Sequence, residues 1–224
     1  MFSFLTARFL VNDIYKEVVG VDEFSPHFTK LHAKGFAESI AMGITKGRLD
    51  PRLADFDLAR LAEILDTSRD GLFEFMGVQV LYDRYFIRDG EQVLLETPQY
   101  FWMRIAMGLA LLEEDKNAKA IEFYHTVSRM LYVPSTPTLL HSGTHRPQVS
   151  ACFLSTAEDD LSHIFKVIGD NAQLSKTNPP SRPSGYGMAA GNAEGDAFQN
   201  RRWSCLGSRY AGYEGRRCHG LYRD

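Results

Sequence analysis

Apolar residues recur at helical spacing through most of the first 176 positions. Leu10, Ile14 and Val18 fall four apart with Gly20 behind them as a stop, which predicts a helix over residues 3 to 19. Pro26 opens a second helix that places Phe28, Leu31, His32 and Phe36 on one side. Asp50-Pro51 restarts the chain into Leu53, Phe56, Leu58, Leu61, Ile64 and Leu65, ending near Asp66. Val78 to Ile87, then Arg88-Asp89-Gly90-Glu91 and Val93-Leu94-Leu95, reads as a short hairpin or as a helix leading into one, because Asp-Gly between apolar runs signals a turn. The clearest signal follows. Thr97 stands as N-cap and Pro98 at the first helical position, with Trp102, Ile105, Ala106, Leu109 and Leu112 on the apolar face. Glu113 to Lys116 turns the chain into a further helix carrying Ile121, Tyr124, Val127 and Leu131, which completes a helical hairpin.

The pattern then changes. Pro134 to Ser150 is rich in Thr, Ser, Gly and Pro without helical period and predicts extended or looped chain; Ala151 to Ser155 fits a strand. Asp159 and Asp160 cap a last amphipathic helix with Leu161, Ile164, Phe165, Ile168 and Leu174 apolar. From about residue 177 the composition breaks. All lysines, valines and isoleucines lie before that point, whereas the remainder holds Pro179, Pro180, Pro183, eight glycines, seven arginines and only Leu206 and Leu221 as aliphatic anchors. Such a segment buries too little apolar surface to offset its ordering entropy, so a poorly packed or disordered tail is expected. Out-of-frame translation of a GC-rich gene and a genuine low-complexity extension both produce this composition.

Composition narrows the class. With 224 residues, 44% hydrophobic content and a net charge of -3, the chain can bury one sizeable core or two smaller ones. Lys30, Lys34, Lys46 and Arg48 are too scattered for the basic stripe that phosphate-backbone binding requires, so no nucleic-acid partner is expected. Met1 to Arg8 has no charged leader ahead of an apolar run, and no stretch approaches 18 apolar residues. A cytoplasmic protein without a membrane partner is the expectation. Three cysteines make no disulfide framework, so Cys152, the one thiol before the break, is either a small buried hydrophobe or a reagent.

Other candidates are weaker. His141 and His145 are four apart, but Gly143 between them and Pro147 after them argue against one helical face, and no third ligand follows. Cys205 and the pair Cys218-His219 fall short of a zinc pattern. Gly185-Tyr186-Gly187 lacks the strand and lysine of a phosphate loop. Phe101, Trp102 and Phe123 read as core.

The string Ser135-Thr-Pro-Thr-Leu139, then Ser142-Gly-Thr-His-Arg-Pro-Gln-Val-Ser-Ala-Cys152-Phe-Leu154, Glu158-Asp-Asp-Leu161, Ile164-Phe165 and Asp170 to Lys176, resembles the large (alpha) subunit of ribonucleotide reductase. Asp83-Arg-Tyr-Phe-Ile87 and Glu96-Thr-Pro-Gln-Tyr-Phe-Trp-Met-Arg-Ile-Ala106 are similar to the same protein. The likeness covers residues 1–176 and stops in mid-motif, because Lys176 is followed by Thr177-Asn-Pro-Pro180 where the family continues into a Gly-Gly-Ile-Gly loop. It implies a mainly α fold: a helical N-terminal domain over 1–132, the first strand and helix of an incomplete ten-stranded α/β barrel over 133–176, and a tail unlike the family over 177–224.

The resemblance implies reduction of ribonucleotides to 2′-deoxyribonucleotides for DNA synthesis. A thiyl radical removes the 3′-hydrogen, water leaves C2′, and a thiol pair supplies the electrons and becomes a disulfide. Cys152 matches the first thiol of that pair. Thr136 matches a position at the substrate's phosphate end, and Ala151 and Cys152 match the pair at the ribose; alanine, where many relatives have serine, leaves only a backbone contact. Asp159, Asp160, Leu161 and Lys176 match the site of the specificity effector, a deoxynucleoside triphosphate or ATP at the dimer interface, with Asp159 on the ribose and Lys176 near the phosphates. Without the resemblance, those acids are simple helix caps, Lys176 is a solvated lysine, and the Thr-Pro-Thr stretch is a turn with local hydrogen bonds.

The implied partners are a beta subunit, a second alpha chain, and thioredoxin or glutaredoxin as reductant. No cofactor is expected on this chain; a metal-containing beta subunit, or alternatively adenosylcobalamin, would supply the radical. The second redox cysteine, the radical cysteine with its Asn and Glu neighbours, a C-terminal Cys-x-x-Cys and an ATP cone are not found in the sequence. The expectation is therefore a truncated reductase alpha chain, or else an inactive helical piece that binds or dimerises.

Overall fold

A computed structural model describes residues 2–149, 156 and 158–177, with the side chains of 174–177 left aside. The chain divides into two compact units, Met1–Val149 and Ser150–Asp224. In the first unit lie α1 (Phe2–Val19), α2 (Phe28–Thr45), a 3-10 helix (Pro51–Asp55), α3 (Leu58–Ile64), a second 3-10 helix (Thr67–Leu72), α4 (Phe75–Arg84), α5 (Pro98–Ala110), α6 (Lys116–Ser128) and α7 (Thr136–His141). The second unit contributes α8 (Leu161–Thr177). The architecture is mainly α, and among the described residues β pairing is limited to two isolated bridges, Leu49 with Thr144 and Arg88 with Leu94. The expected strand at Ala151 to Ser155 lies outside the described residues.

The first unit is organised around α5. Thr97 accepts the Tyr100 N–H and Pro98 occupies the first turn, so the helix starts where the sequence placed it. Every residue from Pro98 to Met107 is buried, which makes α5 a helix enclosed on all sides rather than one with an outer polar face. Fully burying side chains such as Phe101, Trp102, Met103 and Ile105 contributes about 1.5–3 kcal/mol each. α6 packs along α5, α4 along α1, and α3 against α2. Local caps set the other starts: Asp50, Asp57, Asp66 and Asp115 each accept a backbone N–H from the first turn of the helix they precede.

Three expectations change, and one open alternative is decided. Leu109 and Leu112 do not join the core: they are 40% and 90% exposed, because they lie at the solvent end of α5 and just past it. Leu131 is also outside, since α6 ends at Ser128 and the positive φ of Met130 turns the chain away. The stretch from Val78 resolves into α4, followed by a turn closed by the single Arg88–Leu94 bridge; Asp89 accepts the N–H groups of Glu91 and Val93. Residues 136–141 form the short helix α7 instead of a loop, with Leu139 buried.

That last difference traces to α5. Arg104 is completely buried and pairs with Glu96, Nε donating to Oε1 at 2.6 Å, while Nη1 donates to the Ser142 carbonyl at 2.6 Å and Nη2 to that of Leu139 at 3.3 Å. Glu96 also accepts the Ile87 N–H at 2.8 Å. The guanidinium therefore satisfies carbonyls at the end of α7 that a six-residue helix cannot satisfy internally. Close approach makes this possible. A Cβ on Gly108 would stand 2.1 Å from the Gly143 nitrogen, and Gly143 itself has φ +73°. The Ser142 hydroxyl donates to the Ile105 carbonyl, Asp50 N–H to the Gly143 carbonyl and His145 N–H to the Arg48 carbonyl. Residues 139–145 are thus tied on two sides.

Arg104→Met should lower the unfolding free energy in urea by about 3–5 kcal/mol, because it strands the Glu96 carboxylate in the core. Combining it with Glu96→Gln should recover part of that loss. A single-variant loss below about 1 kcal/mol would contradict the ion pair.

Candidate functional site

The residues singled out by sequence fall into three groups. Thr136 lies in the first unit, at the first position of α7. It is exposed, and its hydroxyl is 3.2 Å from that of Tyr85, at the end of α4. Its hydroxyl is therefore presented by a helix start rather than by the expected Thr-Pro-Thr loop. Ser135 precedes it as N-cap without a side-chain capping bond. Ala151 and Cys152, the pair assigned to the ribose, lie outside the described residues. The third group sits on α8.

Asp159, Asp160 and Leu161 are exposed at the start of α8. Their local roles differ. The Asp160 carboxylate accepts the His163 N–H at 2.9 Å, and His163 Nδ1 in turn accepts the Glu158 N–H at 3.0 Å. Asp160 is thus the N-cap, and the imidazole closes the opposite side of the turn, a reciprocal arrangement akin to a capping box. With the capping taken by Asp160, the plain helix-cap reading does not account for Asp159. Leu161, Ile164, Phe165 and Ile168 form an exposed apolar stripe at 69%, 37%, 64% and 57%.

Lys176 belongs to the last turn of the same helix. Fifteen residues separate it from Leu161, which at 1.5 Å per residue is roughly 22 Å along the axis. That exceeds the reach from a nucleotide's ribose hydroxyl to its own triphosphate. The two ends of α8 therefore stand well apart along its axis.

Several residues carrying the geometry were given no role by sequence reasoning. Tyr85 lies inside the string Asp83-Arg-Tyr-Phe-Ile87, and Glu96 and Arg104 lie inside the string that begins at Glu96. The signal for Arg104 was present: a lone charge among Trp102, Met103, Ile105 and Ala106 in an apolar helix is a buried ion awaiting a partner. The His141 ring is buried, and that burial, together with the nearby Arg104 charge, holds its pKa below the ordinary imidazole value. It is a neutral packing residue at the end of α7.

Residues 71–147 match the model of the ribonucleotide reductase all-alpha domain. Over this segment the chain matches the ribonucleotide reductase family. The chain is 51% identical over 177 residues to the ribonucleoside-diphosphate reductase subunit alpha of Chlamydia pneumoniae, covering 78% of this chain and 17% of that protein. The corresponding subunit of Helicobacter pylori strain 26695 is 33% identical over 175 residues, covering 78% of this chain and 21% of that protein. The large subunit from Plasmodium falciparum isolate Dd2 is 33% identical over 199 residues, covering 87% and 23%. The chain thus spans about a fifth of the length of these ribonucleotide reductase relatives. Among the described residues no helix is long and apolar enough to cross a membrane.

Asp160→Ala should fray the start of α8 and lower the helical circular dichroism of the chain, whereas Asp159→Ala should leave it unchanged. Equal losses from both would mean that the two acids share the capping role.

Proposed function

We propose that this chain is a segment of a ribonucleoside-diphosphate reductase alpha chain in which Cys152 supplies one of the two reducing thiols. The observation that carries the reading is the 51% identity over 177 residues to a reductase alpha subunit, a span that includes Cys152. The first unit acts as a scaffold. Arg104 and Gly108 hold residues 139–145, and Cys152 follows seven positions later in sequence. Thr136 offers its hydroxyl to the phosphate end of a ribonucleotide, and the backbone at Ala151 offers a contact to the ribose.

At the reacting carbon the thiol of Cys152 gives its proton to the departing 2′-hydroxyl, which leaves as water. Its sulfur then forms a disulfide with the second thiol, and the two electrons released reduce the sugar. Thioredoxin or glutaredoxin restores the dithiol. The radical that opens the reaction comes from a metal-containing beta subunit, or from adenosylcobalamin in the alternative form. The exposed stripe Leu161, Ile164, Phe165 and Ile168 suits pairing of two alpha chains. Antiparallel pairing would set Asp159 of one α8 and Lys176 of the other against one deoxynucleoside triphosphate or ATP. The second reading, a fragment inactive on its own, rests on the composition of residues 177–224, which hold no Lys, Val or Ile, and on a match to only about a fifth of the relatives' length.

A chimera tests both readings. Residues 2–176 placed in the C. pneumoniae alpha subunit should sustain deoxynucleotide formation with beta subunit and reductant. Cys152→Ser in that chimera should reduce it to background. Asp159→Ala should change which base is preferred while leaving some total turnover. The 224-residue chain alone should form no deoxynucleotide. An active Cys152→Ser chimera would overturn the thiol assignment, and product from the isolated chain would overturn the fragment reading.

A further inference from the structure

Asp70, in the second 3-10 helix, is fully enclosed and makes no ion pair among the described residues. Its carboxyl accepts from two neutral donors, the Tyr15 hydroxyl of α1 and the Gln99 amide of α5. Gln99 in turn accepts from the Tyr124 hydroxyl of α6, whose oxygen accepts the Asp66 N–H at 2.9 Å. One carboxyl therefore joins α1, α5, α6 and its own helix in a continuous chain. The charged groups around it give no relief. Glu23, after the end of α1, and Asp66 both oppose a negative charge at Asp70. Arg69, the adjacent cation, is turned to Asp66, Ser128 and His125 and lies over the Tyr124 ring. From α2, His32 touches the Tyr15 ring edge-on, pairs with Thr97, and is buried and neutral.

We propose that Asp70 is a proton-operated latch: protonated, it fastens α1 to α5 and the 3-10 helix, and ionised, it loosens α1 from the body of the unit. The reason is desolvation. A carboxylate buried without a cation costs several kcal/mol, and two neutral hydrogen bonds offset only part of that cost. Burial accordingly pushes its pKa up from 3.8 to about 7, the two donors opposing the shift. α1 is the element positioned to respond. Its first two turns carry the exposed Phe2, Leu5 and Phe9, and its contacts run to α4, the Asp70 helix and α2.

The sign follows from linkage. The folded pKa lies above the unfolded one, so the stability Asp70 contributes is complete below about pH 4 and is lost as pH rises through 7. His32 works in the opposite direction. Burial lowers its pKa to about 4, so its contribution is present above about 6.5 and lost as pH falls. The wild-type curve mixes the two effects, and a ratio to Asp70→Asn isolates the latch.

The test is urea unfolding of the full 224-residue chain and of Asp70→Asn at pH 6 and pH 8, with hydrogen exchange in α1 at each pH. The ratio of the unfolding constants, wild type over Asp70→Asn, should rise about tenfold between the two pH values. Exchange in α1 should accelerate with pH more steeply in the wild-type chain than in Asp70→Asn. Should Asp70→Asn not fold, the carboxyl carbon-13 shift of Asp70 in the wild-type chain decides the matter. A midpoint near 7 supports the latch; a midpoint at or below 4, or a ratio flat with pH, overturns it.

Discussion

A single buried guanidinium fastens residues 139–145 to the central helix of the first unit. Arg104 stands at the centre of an otherwise apolar helix, where an uncompensated charge would cost several kcal/mol. Glu96 neutralises it, and the remaining donors go to backbone carbonyls from residues 139 and 142. The ion pair and the docking of α7 are therefore one arrangement. Neither partner can stay buried without the other, and the carbonyls of Leu139 and Ser142 take their bonds from that guanidinium. Glycine at 108 and at 143 lets the two backbones meet closely enough for those bonds to form.

The consequence is directional. The first unit is a helical body built around α5, and the chain leaves it through a segment held on one side by Arg104 and on the other by the Leu49–Thr144 bridge. Thr136 and Tyr85 stand together on this unit, and the proposed reducing thiol follows in sequence. A second polar chain, from Asp66 through Tyr124, Gln99 and Asp70 to Tyr15, ties the flank formed by α1 to the same central helix. Gln99 and Arg104 project from α5 into two separate networks. α5 thereby acts as the common support of both.

Much of this was legible in the residues. The start of α5 could be read from Thr97-Pro98, the helical hairpin from Glu113 to Lys116, and the likeness to ribonucleotide reductase alpha subunits from the ordered string around Cys152. What escaped was set by tertiary contact. Pro134 to Ser150 has no helical period because α7 is too short to show one and is stabilised by a side chain from α5, 32 positions earlier than its start. Leu112 and Leu131 match apolar periods but fall just past helix ends, where spacing carries no information about the turn. Asp159 and Asp160 look equivalent in sequence, and only geometry separates the capping acid from its neighbour. Asp159 and Lys176 are linked by resemblance, and the roughly 22 Å of helix between Leu161 and Lys176 becomes readable only once α8 is known to be continuous.

The most direct test of this account is native-state hydrogen exchange at Ser142, Thr144 and His145. Their N–H groups donate to the carbonyls of Thr138, His141 and Arg48. If the buried guanidinium fixes this segment to α5, these amides should open only with the whole unit, at the same free energy as those of Met103 and Ile105. Fast exchange there beside a protected α5 would mean that the segment is loosely held, and would contradict the claim that Arg104 fastens residues 139–145 to α5.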